Sequence, residues 1–403
     1  MKNLLVIILF LSSLSIIVRA ETKLGIKHGI HKVKNTEAHV FEIPADLFSI
    51  QPVKALNVGI GTETVSHIAK RTGANLAING GFFDTFPEYE GIPSGVYKLK
   101  DEWLSIGEKS RAALGIKDNQ LFWGRIKVSA FAKVGEKVYT IHGINRPPKA
   151  QENILYTPSF NTSTLTHTDR VELSVSEGQI AHISQRGDVS IPHNGYVLSL
   201  PQQHIPSSFG PGTKAHITHS TEADTDSTPW KEMDFIVSGT PLLILNGKLI
   251  SDYTSEDVQK DFVTQKFART AIGVKKDGTV VVVVAGHIHP YHKETIRKMP
   301  LEDVGHALLG LGYSRLEIKK MTLDEILSAL EKCNKDDQLM GLTITELAEF
   351  MLSLGITNAI NLSGGNSTNV YFEGKSLPMH GINTVNKEKK VSDAIIFSEK
   401  VMR

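Results

Sequence analysis

Two apolar runs far apart in the chain end in the same way. Ala74-Asn75-Leu76-Ala77-Ile78-Asn79-Gly80-Gly81-Phe82-Phe83-Asp84 and Asn358-Ala359-Ile360-Asn361-Leu362-Ser363-Gly364-Gly365-Asn366-Ser367-Thr368 both read Ala-Ile-Asn, then a glycine pair, then polar or aromatic residues. Paired glycines let the backbone turn with positive φ and let another group approach the main chain closely. Successive N–H groups in such a turn can cradle an anion or a sugar oxygen. A plain strand ending in a tight turn would carry the same residues. Each run also follows a helix signal. Thr343 and Glu346 form a capping box, Leu347, Phe350, Met351 and Leu354 make one stripe, and Gly355 stops it. The earlier helix spans about Glu63 to Gly73, with Val65, Ile68 and Ala69 inward. Two helix–strand–glycine units imply two loops that converge on one site.

The chain opens with Lys2, an apolar run from Leu4 to Val18, and Val18-Arg19-Ala20. This pattern predicts a signal peptide cleaved after Ala20 and a secreted or periplasmic protein, with an uncleaved N-terminal anchor as the alternative. No later stretch is long and apolar enough to predict a membrane span. Cys333 is the only cysteine, so the core is expected to hold the fold without a disulfide. The 44 basic and 43 acidic side chains balance, which gives no electrostatic case for a nucleic-acid partner.

Residues 21–56 read as a leader with strand character at His39–Ile43, and the main domain, 57–403, follows. Arg111-Ala112-Ala113-Leu114-Gly115-Ile116-Lys117 and Arg269-Thr270-Ala271-Ile272-Gly273-Val274-Lys275 share the pattern Arg-x-Ala-x-Gly-x-Lys. Asp277-Gly278 and Asn246-Gly247 are hairpin signals. Val171–Val175, Gln179–Ser184 and Gly195–Leu200 alternate as strands of a β-rich middle. Two helices are expected between Met299 and Asn334. One has Val304, Leu308 and Leu311 inward, and the other is capped by Thr322 and Glu325 with Leu323, Ile326, Leu327 and Leu330 on one side.

Asn79-Gly80-Gly81-Phe82-Phe83, Ile144-Asn145-Arg146-Pro147, Leu155-Tyr156-Thr157-Pro158, Arg269-Thr270-Ala271-Ile272-Gly273 and Asn361–Thr368 occur in that order. Together they resemble the phosphodiester glycosidase family from about residue 57 to the C-terminus, interrupted at 288–341. The resemblance implies an α+β fold, with mixed β-sheets, packed helices and a helical insertion at about 288–341. It also implies cleavage of an N-acetylglucosamine-like sugar from a glycosyl phosphodiester, in cell-envelope or exopolysaccharide metabolism. No cofactor is expected. It implies substrate contacts from Asn79, Gly80, Gly81, Phe82, Thr270, Gly286, Gly364, Gly365, Asn366, Ser367 and Thr368, with Arg269 on the phosphate. The expected partner is a sugar phosphate or a polysaccharide. The family usually has an aspartate where this chain has Ser363, so a carbohydrate-binding protein that has lost the chemistry is the alternative.

Phosphate is a good leaving group, and an arginine can stabilise its departing charge. A carboxylate is the usual group to activate water or attack the anomeric carbon, and Asp84, Glu88 and Glu90 follow the first glycine pair. Ser363 can position a water. Arg111 is open to a structural or a functional reading. His287, His289 and His292 have spacing that suits a transition metal, but a loop histidine group is more often solvated, and no metal is expected. Asn161-Thr162-Ser163 and Asn366-Ser367-Thr368 match glycosylation acceptors; in a bacterial envelope Asn366 is read instead as a ligand contact.

Overall fold

The computed structural model describes residues 16–21, 25–34, 36–86, 89–202, 206, 208–224, 228–286, 304–305, 308, 313–332, 341–377 and 388–400. Strand accounts for 45% of the structure and helix for 16%, so the fold is predominantly β, with single helices covering sheet faces. The described pairings are antiparallel except for Gly143–Ile144 against Ile154–Tyr156, which is parallel.

One core lies between two sheets. The larger has eight strands, in the spatial order Ile16–Glu21, Lys27–Val33, Thr36–Ile43, Val280–Ala285, Arg269–Lys275, Ile356–Asn361, Leu242–Leu245 and Lys248–Leu249. The smaller runs Lys375–Leu377, Val370–Phe372, Leu76–Asn79, Asp393–Glu399 and Phe48–Lys54. Alternation along Val280–Ala285 sends Val280, Val282 and Val284 inward, onto the cluster that holds Phe48, Ile78, Ile395 and Phe397. Val281 and Val283 face outward, where the helix Ile344–Ser353 covers them with Leu347, Phe350 and Met351. The helix Val65–Thr72 covers the outer face of the smaller sheet, packing Val65 and Ile68 on Ala77 and Ile396. The layers are therefore helix, sheet, sheet, helix.

A second core joins a seven-stranded sheet to a five-stranded one. The seven-stranded sheet contains Arg111–Lys117, Gln120–Val134 and Phe235–Ser238, and the five-stranded sheet contains Arg170–Ser176, Gln179–Ser184 and Gly195–Pro201. Val128, Ala130 and Ile236 meet Leu173, Leu198 and Leu200 there.

Several expectations change. Residues 27–54, read as a leader ahead of the domain, supply three strands, and Phe41, Ile43, Phe48 and Ile50 are core residues. The strand Ile16–Glu21 pairs with Lys27–Val33 at the rim of the larger sheet. Within 288–341 the described residues include the helices Arg315–Ile318 and Leu323–Lys332. Leu311 and Cys333 lie outside the described residues. Thr322 and Glu325 do cap the second helix, but Leu323 is exposed while Leu327 and Leu330 are buried. Among the described residues no helix is long and apolar enough to cross a membrane.

The helix Ile344–Ser353 carries a formed Thr343–Glu346 capping box and seals one face of the eight-stranded sheet. Replacing its fully buried Leu347 by alanine is expected to cost about 2–5 kcal/mol of unfolding free energy, measured by urea denaturation. A loss under about 1 kcal/mol would mean that the helix is not packed as described.

Candidate functional site

Asn79 ends the strand Leu76–Asn79 and is fully buried. Its Nδ2 donates to the Ser363 carbonyl at 2.7 Å, and its Oδ1 accepts from Thr270 Oγ1 at 2.7 Å and from the Asn369 N–H at 3.1 Å. The Ser363 N–H donates in turn to the Gly80 carbonyl at 3.1 Å. One amide thus joins the first glycine loop, the Arg-Thr strand and the late glycine loop. The convergence expected from the repeated pattern is present, and the buried Asn79 side chain joins the loops.

The glycine pairs serve close approach more than unusual φ. A Cβ on Gly80 would sit 1.9 Å from Asp393 Oδ2, and one on Gly81 would sit 2.7 Å from the Ser238 carbonyl. Gly364 has the same constraint, 2.7 Å from the Ala268 carbonyl, and of the four only Gly365 is left-handed, at φ +58°. Asn366 is exposed, whereas Ser367 and Thr368 are buried, and the Thr368 hydroxyl has no hydrogen-bond partner among the described residues. Gly286, at φ +102°, donates its N–H to the Glu37 carbonyl at the sheet edge and is not joined to the glycine loops. The hydrogen bonds of Ser363 are made by its main chain.

Two adjoining cavities open beside the first loop. The larger, about 790 Å³, is lined by Asp84, Tyr89, Arg111, Arg146, Lys149 and Asp257, among others. The smaller, about 250 Å³, is lined by Phe82, Phe83, Ser94, Arg111, Ser238 and Thr240. Arg111 and Ser94 belong to both walls. Most cations on the larger wall are already neutralised. Lys109 pairs with Asp257 at 2.6 Å, Lys149 with Glu108 at 2.5 Å and Arg146 with Glu152 at 2.6 Å. Arg111 forms no ion pair among the described residues, and its guanidinium reaches only Thr240 Oγ1, at 3.4 Å. It is the cation available to an anionic ligand.

Arg269 has the opposite fate. It is 1% exposed, with Nε on the Leu342 carbonyl and Nη2 on the carbonyls of Phe262 and Gln265 at 2.8–3.0 Å. The guanidinium lies between the rings of Phe262 and Phe267, 4.6 and 5.1 Å from their centroids. Burial pulls its pKa down to about 10. It meets the smaller cavity only at second hand, because Phe262 packs edge-on against Phe82. Arg269, expected on the phosphate, is thus enclosed by main chain and rings, whereas Arg111, whose matching pattern had left its role open, lines both cavities.

Asp84 lines the larger cavity, and its Oδ1 accepts from the Phe86 N–H at 2.8 Å. Glu90 is not on either wall; its carbonyl accepts from the Gly61 N–H. Glu88, His287, His289 and His292 lie outside the described residues. Among the described residues no group of three or more His, Cys, Asp or Glu side chains could hold a metal ion.

Three buried charges escaped the sequence reading. Glu256 accepts from the Ala112 and Leu242 N–H groups, from Thr240 Oγ1 and from Arg125 Nε, which ties Arg111's strand to Thr240. Asp393 accepts from the Gly81 N–H at 3.2 Å, and Lys54 donates to the Gly91 carbonyl at 2.6 Å. For Asp393 the available signal was a charge beside an apolar strand, Val391-Ser392-Asp393-Ala394-Ile395-Ile396, whereas Glu256 sits in the polar turn Thr254–Glu256 and carries no such signal.

The family model for phosphodiester glycosidases matches residues 169–315 and 328–398, more than half of the chain. The chain belongs to the phosphodiester glycosidase family. The match includes the Arg269 strand, the late glycine loop and Asp393, and leaves out 316–327 between its two parts. An uncharacterized protein of Rickettsia conorii is 26% identical over 291 residues, which is 71% of this chain and 99% of that protein. The structure of a hypothetical protein from Synechocystis superposes with a TM-score of 0.69 at 20% identity, covering 93% of this chain and 62% of that one. The chain therefore spans less than two thirds of that protein. A structure from Burkholderia pseudomallei gives 0.64 at 18% identity, covering 92% and 74%. These two likenesses establish the fold shared with this family member.

Removing Arg269 leaves three carbonyls without their donor and two rings without their filling. Arg269→Ala is expected to lower unfolding free energy by about 3 kcal/mol or more, read by denaturant titration. Unchanged stability would show that the guanidinium is free for a ligand.

Proposed function

We propose that this protein is a hydrolase that releases a sugar from a glycosyl phosphodiester. The observation that carries the reading is Arg111, an arginine without an ion-pair partner among the described residues, on the wall common to two adjoining cavities. A substrate of this class has three parts, a sugar, a bridging phosphate and an aglycone. A phosphate at Arg111 places its two substituents in the two cavities. The guanidinium then meets the negative charge that grows on the phosphate as the glycosidic bond breaks, and charge-assisted hydrogen bonds are strongest there.

Asp84 is the carboxylate on the same wall, its orientation set by the Phe86 N–H. In this reading it activates water or attacks the anomeric carbon. Tyr89, Phe82 and Phe83 offer apolar surface to the sugar faces. The sugar is N-acetylglucosamine-like by family resemblance. The apolar N-terminal run supports export, with a cell-envelope or exopolysaccharide glycan as the source of substrate.

Ser363 carries the second reading. It gives its main chain to the junction and no carboxylate, so a carbohydrate-binding protein without turnover would keep the same loops.

The two readings separate in one experiment. Purified protein is incubated with N-acetylglucosamine-1-phosphodiesters and free sugar is measured, beside Arg111→Ala. Turnover by the native chain is expected, and the variant should lose roughly 10²–10³ in kcat while remaining folded. Saturable sugar binding without release would establish the binding protein instead, and equal rates in the variant would take Arg111 out of the reaction.

A further inference from the structure

Two buried charges face each other beneath the site. Lys54 ends the strand Phe48–Lys54, Asp393 begins the strand Asp393–Glu399, and the two are direct cross-strand partners. Lys54 is 3% exposed and Asp393 is 1% exposed. Charges this deep are costly unless paired or hydrogen-bonded, and both are spent on loop main chain.

Asp393 Oδ2 takes the Gly81 N–H at 3.2 Å, and its Oδ1 takes the Ser392 hydroxyl. The contact is close enough that Gly80 admits no side chain. Lys54 Nζ holds the Gly91 carbonyl at 2.6 Å, and the Gly91 N–H in turn holds the Asp84 carbonyl at 2.9 Å. One member of the pair therefore fixes the turn that leads into Phe82 and Phe83. The other fixes the far end of the loop that carries Asp84.

We propose that Lys54 and Asp393 are positioning residues that set the two walls of the site against each other, the glycine turn through Asp393 and the Asp84 loop through Lys54. The proposal rests on the glycosyl phosphodiester reading for its effect on turnover, and on geometry alone for its effect on the loops.

The charge state of the pair gives the proposal a signature. Burial pulls Lys54 from its ordinary 10.5 to about 8, and Asp393 resists that shift by attraction. Burial also pushes Asp393 above the usual carboxylate range, against the pull of Lys54, the Ser392 hydroxyl and the Gly81 N–H. Tyr97 lies on the same side, its ring 5.9 Å from Lys54 Nζ, and it stays a neutral phenol because burial and Asp393 hold its proton. Arg71, paired with Glu63, touches Lys54 only at its main-chain carbonyl. Below about pH 8 Lys54 is charged and the pair is intact. As pH rises through that value the ammonium loses its proton, Asp393 is left as an uncompensated buried anion, and the hold on Gly81 and Gly91 weakens.

The test pairs kinetics with a readout independent of turnover. Sugar release from an N-acetylglucosamine-1-phosphodiester is followed from pH 6 to 10 for the native chain, Lys54→Met and Asp393→Asn, with folding checked by circular dichroism. The amide signals of Gly81 and Gly91 are followed by NMR over the same range. The native kcat is expected to fall above about pH 8. Lys54→Met should lack that limb and turn over about 10–100-fold more slowly with little change in KM. Asp393→Asn should move the limb to lower pH, because the attraction that holds the Lys54 proton is gone. The Gly81 and Gly91 signals should titrate together near pH 8 in the native chain and not in Lys54→Met.

Flat amide signals in the native chain would overturn the proposal whatever the activity. Titrating amides with native turnover and an unmoved limb in both variants would overturn its positioning role. If the native chain releases no sugar, the glycosidase reading fails separately, and the amide titration still decides whether the pair holds the loops. Should either variant fail to fold, the native amide titration remains decisive for the pair.

Discussion

The structure turns on a single buried amide. Asn79 is fully buried and has both side-chain polar atoms engaged, its donor on the late glycine loop and its acceptor on the Thr270 strand and on Asn369 at the end of that same loop. A buried polar group left unpartnered costs more than a typical hydrogen bond returns, so each of these partners is held as firmly as Asn79 itself. That makes the junction a fixed point. The strands Leu76–Asn79 and Arg269–Lys275 belong to different sheets, and the amide binds them at their ends while the apolar core binds them along their lengths.

Around that point the site is built from main chain that cannot bear side chains. A Cβ on Gly80, Gly81 or Gly364 would come within 3 Å of another group. One on Gly239 would sit 2.1 Å from the Asn361 carbonyl oxygen. Close packing of this kind leaves little freedom for the loops, which suits a site whose groups must be held in register before a substrate arrives. The buried charges Glu256, Lys54 and Asp393 extend the same logic, since each is spent on main-chain groups of a loop or strand that borders the cavities.

The two Arg-x-Ala-x-Gly-x-Lys strands show what local sequence leaves undecided. Arg111 and Arg269 both begin a strand, and both strands run to a lysine six residues on. One arginine faces a cavity, its guanidinium hydrogen-bonded among the described residues to Thr240 and sharing the wall with Asp257, and the other is buried against two phenyl rings on three carbonyls. The difference comes from what lies opposite. Phe262, Gln265 and Leu342, which close over Arg269, come from segments whose approach the pattern does not encode. For Arg111 the neighbours are Thr240 and the open space beside Ser94.

Local patterns determined much of this protein. The capped helix Ile344–Ser353, the Asp277-Gly278 and Asn246-Gly247 hairpins, the strands of the middle region and the meeting of the two glycine loops all follow from periodicity, capping and turn chemistry, which act over a few residues. Family membership was legible in the order of five short motifs. Tertiary structure alone decided that residues 27–54 are core strands and that the glycines serve close approach. It also decided which arginine faces the cavities and that Lys54 lies opposite Asp393. These outcomes depend on contacts between residues far apart in the chain, and a sequence states which groups exist without stating which of them will be brought within a few ångströms.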